Sequence, residues 1–235
     1  MSTSIERLKD GLLALFLKPN CPLCDRPAES EFCTFCQRQL QRCQLTTPGD
    51  FWKGELPVFA WGNYGGVLKR AIATLKYDNQ PQLARPLGHW LAQSWLKSPV
   101  ATPVKKLTVV PIPLHPLKLK KRGYNQAELI AQNFCDVTGY KHQPLGLERI
   151  RETEAQFGLS AQAREQNLAD AFRISKSFGK HLPNSPVLLI DDIYTTGATV
   201  RAAAQILQRQ GIQVYGVAAI ATSKSQFIQA SKYNK

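Results

Sequence analysis

The sequence predicts an α/β fold, a parallel sheet flanked by helices, with a small cysteine-rich module in front. Three observations lead there. From residue 107 onward, short apolar runs alternate with helical patterns, as in strand–helix–strand units. The run Val187–Ile190 passes into two aspartates and a hydroxyl- and glycine-rich turn that opens a helix. Upstream, residues 21–50 hold five of the six cysteines and little apolar periodicity, so that module needs a staple rather than a core of its own.

In chain order, Ile5, Leu8, Leu12 and Leu15 recur at helical spacing and predict a short amphipathic helix over 4–17, ended by Pro19 and Asn20. Residues 56–61 read as a strand. Helical patterns follow at 65–76 and 82–97, with Gly65 and Pro81 near their starts, and Pro99 and Pro103 mark 98–104 as a connector. Leu107–Ile112 is a buried strand. Residues 124–138 form a helix with Ala127, Ile130, Phe134 and Val137 on one face, stopped by Gly139. A charge-rich stretch covers 148–170. Then come the buried strand 187–190, a helix over 197–210 ending at Gly211, and a third strand over 212–221. Parallel sheets of this kind hold ligands at the carboxyl ends of their strands. The divisions implied are 1–50 (helix and cysteine module), 51–104 (linking segment packed on the core), 105–225 (α/β domain) and 226–235 (polar tail).

Composition narrows the function classes. Hydrophobic residues make up 43% of 235, which suits a folded core rather than a disordered chain. The apolar run Gly11–Leu17 is far short of the roughly 18 residues of a membrane span, and it follows Glu6 and Asp10 without a cleavage site. A cytoplasmic protein without membrane insertion is expected. The formal net charge of +13 favours polyanionic partners, or serves solubility alone. Its distribution says more: Lys105, Lys106, Lys118, Lys120, Lys121 and Arg122 fall in one stretch with no acid.

The most specific signal is the stretch 187–199. After the apolar strand, Asp191 and Asp192 precede a turn carrying Thr195, Thr196, Gly197, Ala198 and Thr199. That turn can offer backbone N–H groups and hydroxyls to a phosphate, Gly197 allows close approach, and the helix behind adds its positive end. Two carboxylates beside an anion site would repel it unless they had another task, and gripping vicinal ribose hydroxyls is such a task. A plain helix cap needs one such residue, not two acids and three threonines around a glycine.

This stretch resembles the signature of the type I phosphoribosyltransferases. The pairs Cys21–Cys24 and Cys33–Cys36, Leu75-Lys76-Tyr77, Val110–Pro113 and Arg122–Gln126 precede it in order. Arg151, Thr153, Gln156, Arg164, Asn167, Ala171 and Phe172 follow Gln126. Together they resemble the ComF family, over nearly the whole length from Cys21 to about Ala221. The resemblance implies a type I phosphoribosyltransferase-like sheet with an N-terminal zinc ribbon, and a role in taking up or processing transforming DNA. It implies phosphoribosyl pyrophosphate with Mg²⁺ as ligand, held by Asp191, Asp192 and Thr195–Thr199. Asp191, Asp192 and Arg122 are the expected catalytic residues. The readings left open are phosphoribosyl transfer to an unidentified small-molecule acceptor, a DNA-handling competence factor with competence-machinery partners, and a sensor without turnover.

The two C-x2-C pairs fit tetrahedral thiolate coordination of zinc by Cys21, Cys24, Cys33 and Cys36. Disulfides are the rival, disfavoured in a reducing cytosol. Redox chemistry is disfavoured because neither pair opens a helix in a strand–helix unit. Cys43 is a spare, and Cys135 is expected on a helix edge, acting as a small hydrophobe. Pro113–Arg122 reads as a basic loop facing the pyrophosphate leaving group, with Arg122 foremost, or as a patch for single-stranded DNA. Phe32, Phe35 and Trp52 are candidate stacking faces for exposed bases. The stretch 148–170 reads as a flap that closes over an activated sugar and excludes water, or as a solvated helix of ion pairs. Lys76 and Tyr77 read as a surface pair outside the core fold, with no assigned role. The four histidines lack metal-ligand spacing.

Overall fold

The computed structural model describes residues 20–151 and 171–223. The helix expected over 4–17, the tail 226–235 and most of the 148–170 stretch lie outside them.

The described elements run α1 (Thr34–Gln41), β1 (Val58–Asn63), α2 (Gly66–Tyr77), α3 (Ala84–Leu96), β2 (Thr108–Pro111), α4 (Pro116–Arg122), α5 (Gln126–Thr138) and β3 (Lys141–His142). They continue with β4 (Leu147–Arg149), β5 (Phe172–Ile174), α6 (Lys176–Lys180), β6 (Val187–Tyr194), α7 (Ala198–Arg209) and β7 (Val214–Thr222). Five parallel strands form one sheet in the order β1-β7-β6-β2-β3, with β6 in the middle. The strands are short and nearly all apolar because both faces are covered, so their side chains divide between two cores. Leu188 and Ile190 of β6 point to one face, with Ala218 and Ile220 of β7 beside them. Val187, Leu189, Val217 and Ala219 point to the other.

The first face carries α2, α3 and α5, together with the cysteine module, whose Cys21, Phe32, Cys36 and Leu40 join the same core. Helices α3 and α5 lie close because position 88 is glycine. A Cβ there would come 2.7 Å from Asn133 Cβ and 2.8 Å from the Ile130 carbonyl oxygen. Trp95 is fully buried and meets Phe59 and Trp52 edge-on at 5.2 and 5.3 Å between ring centroids. Such pairs add about 0.5–1.5 kcal/mol each beyond their buried area. The second face carries α7, Phe178 of α6, and the antiparallel ladder of β4 with β5.

Several expectations are revised. Strand β1 pairs in parallel with β7 from Val58↔Val217 to Asn63↔Thr222, so the segment expected to link the modules supplies an edge strand of the main sheet. Strand β6 continues past Ile190 to Tyr194 and so includes both aspartates, because β7 goes on pairing with it as far as Thr222. The expected loop 113–122 contains α4, capped by the His115 side chain at its start and by Gly123 at φ +84° at its end. A run of cations hides a helix from a periodicity reading, because nothing on it is buried. Among the described residues no helix is long and apolar enough to cross a membrane.

Candidate functional site

Strand topology marks the place before any side chain does. The chain leaves β2 for β3 on one side, and leaves β6 for β7 on the other. The boundary between β2 and β6 is therefore a topological switch point, where the loops diverge and open a crevice. Pro111 of β2 is opposite Ile190, and β2 ends there, while β6 runs on. The next two residues of β6 are Asp191 and Asp192.

Asp192 is buried, and each of its oxygens has a partner. Oδ2 forms an ion pair with Nζ of Lys76, at the end of α2. Oδ1 accepts a 3.4 Å hydrogen bond from Nε2 of Gln126, at the start of α5. The Gln126 amide oxygen in turn accepts from Nη1 of Arg122, whose guanidinium sits 5.5 Å over the Tyr77 ring. Asp191 Oδ1 accepts the Asp192 backbone N–H at 2.8 Å. Burial, and then the neighbouring Asp192 charge, push the Asp191 carboxyl well above the usual carboxylate range, with Lys76 pulling the other way.

The segment 122–126 aims these groups. Gly123 ends α4 in the left-handed region, the Tyr124 hydroxyl donates to the Leu75 carbonyl at the end of α2, and Asn125 caps α5 through its Oδ1. The Asn125 amide also donates to the Ile112 carbonyl at 3.0 Å, tying the end of β2 to the start of α5. Sequence reading took Lys76 and Tyr77 as a surface pair outside the core. The structure corrects this for Lys76, whose side chain is only 17% exposed and ends on Asp192. Tyr77 is indeed exposed at 75%. Lys76 sits in the last turn of an amphipathic helix, and no periodicity tells which distant carboxylate such a lysine will meet.

Beyond the strand, Gly197 takes φ +80° and opens α7 without a side-chain cap. A Cβ there would lie 2.5 Å from Tyr194 Oη and 2.8 Å from Arg201 Nη1, side-chain ends that can shift, so it is the backbone angle that calls for glycine. Arg201 Nη1 donates to the Thr196 carbonyl at 2.8 Å and braces the turn. Thr195 and Thr196 are exposed and Thr199 is half-buried. The first turn of α7 contains no acid. Its leading N–H groups, which lie beyond the helix's own ladder, and the threonine hydroxyls form a turn suited to an anion. The site residues expected at 191–199 thus lie on one strand end and its turn, and Arg122 reaches Asp192 through Gln126.

The cysteines form a second centre. The Sγ atoms of Cys21, Cys24, Cys33 and Cys36 all lie within 4.8 Å of one another. A tight turn, with Asp25 at φ +60°, brings Cys21 and Cys24 round. Cys33 caps α1, with its Sγ 3.5 Å from the Cys36 backbone N–H. The second pair therefore does open a helix, though no strand leads into it. That N–H lowers the Cys33 thiol to about 7, whereas burial and the other thiols push Cys36 up. Crowded sulfurs with opposed proton affinities are what a divalent cation resolves, and a four-thiolate set suits zinc. The cluster can hold such an ion. Cys43 stands apart from this cluster, its thiol 3.5 Å from the Gln39 carbonyl. Cys135 is buried in the core as a small hydrophobe would be, its thiol pushed up to about 12.

Two of the expected stacking faces are used internally. Phe32 is 3% exposed and stacks on Trp90 at 6.0 Å, and Trp52 packs against Trp95 and Tyr215. Phe35 is 49% exposed, with Arg26 over its ring at 4.5 Å.

No protein-family model matches the chain. Competence protein F of Haemophilus influenzae is 30% identical over 211 residues, spanning 84% of this chain and 89% of that protein. The chain belongs to the ComF family. DNA utilization protein YhgH of Salmonella typhimurium is 31% identical over 193 residues, covering 81% of this chain and 78% of that one. Competence protein ComFC of Streptococcus pneumoniae is 29% identical over 192 residues, covering 82% and 76%. This ComF-family chain thus combines an acid pair at the switch point of a parallel sheet with a four-cysteine cluster on the same core.

Proposed function

We propose that the chain binds phosphoribosyl pyrophosphate at 191–199 and acts in DNA uptake or processing during natural transformation. The observation that carries the ligand reading is the pairing of Asp191 and Asp192 with a glycine-dependent anion turn at the carboxyl end of the middle strand. Carboxylates suit the ribose hydroxyls, and the α7 turn suits the 5′-phosphate. Arg122, with Mg²⁺ carried in by the ligand, suits the pyrophosphate. If the sugar is transferred, the bond from its anomeric carbon to pyrophosphate breaks as the acceptor's bond forms. The charge that builds on the leaving group then needs cations. Arg122 supplies one from the protein.

The biological setting rests on the relatives, which are named for competence and for DNA utilization. The cysteine cluster in this reading holds a structural zinc, whose four ligands leave no open position for chemistry. The basic face of α4 serves single-stranded DNA.

Calorimetric titration with phosphoribosyl pyrophosphate and Mg²⁺ tests the ligand reading. Wild type should bind, and Asp192→Asn and Thr199→Val should each lose about 1–3 kcal/mol, as expected for a charge-assisted or buried hydrogen bond. Equal affinity in all three proteins would make the turn a structural cap.

A further inference from the structure

We infer that Lys76 is a positioning residue that neutralises Asp192 so that the acid pair can accept an anionic sugar phosphate; this rests on the ligand reading above. The acid pair poses an electrostatic problem. Asp191 and Asp192 stand at the end of the strand that leads into a turn suited to phosphate, and negative charge close to that turn raises the cost of every anion that enters. The ion pair with Lys76 offsets the negative charge of Asp192. Both partners are largely removed from water, with side chains 17% and 5% exposed, so the interaction is weakly screened.

The geometry supports a fixed orientation as well as a charge. Lys76 holds Oδ2 of Asp192 and Gln126 holds Oδ1, so the carboxylate is gripped from α2 on one side and from α5 on the other. The two helices are themselves joined where Tyr124 donates to the Leu75 carbonyl, one residue before Lys76. The lysine is thus delivered by a backbone that the segment 122–126 pins in place. Arg122 acts on the same carboxylate through Gln126 and stacks over Tyr77, the residue after Lys76. One short helix end therefore connects the expected leaving-group cation to the expected ribose grip. Asp192 is thus contacted from both helices at once.

The test is a double-mutant cycle with phosphoribosyl pyrophosphate and Mg²⁺, read by calorimetry. Lys76→Met keeps the stem and its packing but removes the cation. It should weaken binding by about tenfold or more, the scale of one lost charge-assisted interaction. In the D192N background the same Lys76→Met change should cost almost nothing, because the charge it answers is gone. Lys76→Arg should restore most of the affinity. Thermal unfolding of each variant separates this from a structural role, since a merely structural lysine would cost affinity equally in both backgrounds. If Lys76→Met alone does not fold, the Lys76→Met/Asp192→Asn protein, which removes both partners of the ion pair, carries the comparison against Asp192→Asn. Wild-type binding with Lys76→Met unchanged, or an equal loss in both backgrounds, overturns the inference. No binding by wild type overturns the ligand reading itself, and this inference with it.

Discussion

Asp191 is where charge and burial conflict most openly. Its carboxyl is pushed well above its usual range, chiefly by burial and then by Asp192. The sign of the stability effect follows from linkage. A group whose folded value lies above its unfolded value binds its proton more tightly in the folded state. The stability it contributes is fully present below the unfolded pKa, near 3.9 for free aspartate, and is lost as pH rises through the raised value. At any pH above the unfolded value, keeping this carboxyl in the fold therefore costs stability. Asp191→Asn should unfold at a higher temperature than wild type at pH 7. That gap should close as pH falls toward 4, and a set of melting curves across that range checks it. A variant less stable than wild type at pH 7 would mean that Asp191 is held by favourable contacts that outweigh its desolvation. Such trade-offs are common where a residue is kept for ligand rather than for stability.

At the scale of the element, α4 is unusual. Residues 116–121 are all exposed, including Leu117 and Leu119, and the helix carries Lys118, Lys120, Lys121 and Arg122. Its start is capped by His115 and its end by Gly123, so local signals rather than a buried face define it. A short exposed helix of this charge suits phosphates, the role proposed for it above. Replacing Lys118, Lys120 and Lys121 together by alanine should weaken single-stranded DNA binding for all sequences alike. The dependence of log affinity on log salt should become shallower by about 2, since each lost phosphate contact on a single strand removes about 0.7. Fluorescence anisotropy with a labelled oligonucleotide over a salt series reads both effects. Unaltered slope would place the DNA elsewhere. The base-stacking aromatics anticipated in the cysteine module are mostly unavailable for that role, because Phe32 and Trp52 are spent on the core.

Across the whole molecule, the cysteine module and the sheet are energetically one body. Cys21, Cys33, Cys36 and Leu40 share a core with Leu188 and Ile190 of the middle strand. The exposed pair of Arg85 with Glu31 adds a further tie from α3. A metal held by the four thiolates should therefore stabilise the sheet as well as its own turns. Protein purified without chelator should contain about one zinc per chain by elemental analysis. Cys43→Ser should leave that content unchanged. Stripping the metal should lower the unfolding temperature in a single transition rather than release a separate early one. Two transitions would show that the module folds independently of the sheet.

What the sequence by itself determined is what depends on near neighbours. The alternation of apolar runs and helical patterns places β2, β6, β7, α5 and α7 within a few residues, since burial on both faces of a parallel sheet is written directly into those runs. The turn around Gly197 is also legible, because glycine, hydroxyls and acids within a few positions serve one local geometry. The spacing of the cysteine pairs is local in the same way, and their convergence follows from it. Tertiary structure alone decided the rest. That β1 completes the sheet against β7, and that Lys76 ends on Asp192, are contacts between residues more than a hundred positions apart. Periodicity reports which face of an element is buried, not what lies across from it. The partner of a buried charge is chosen by packing of α2 and α5 on the sheet, where a lone lysine in water would have looked like solvent-exposed decoration.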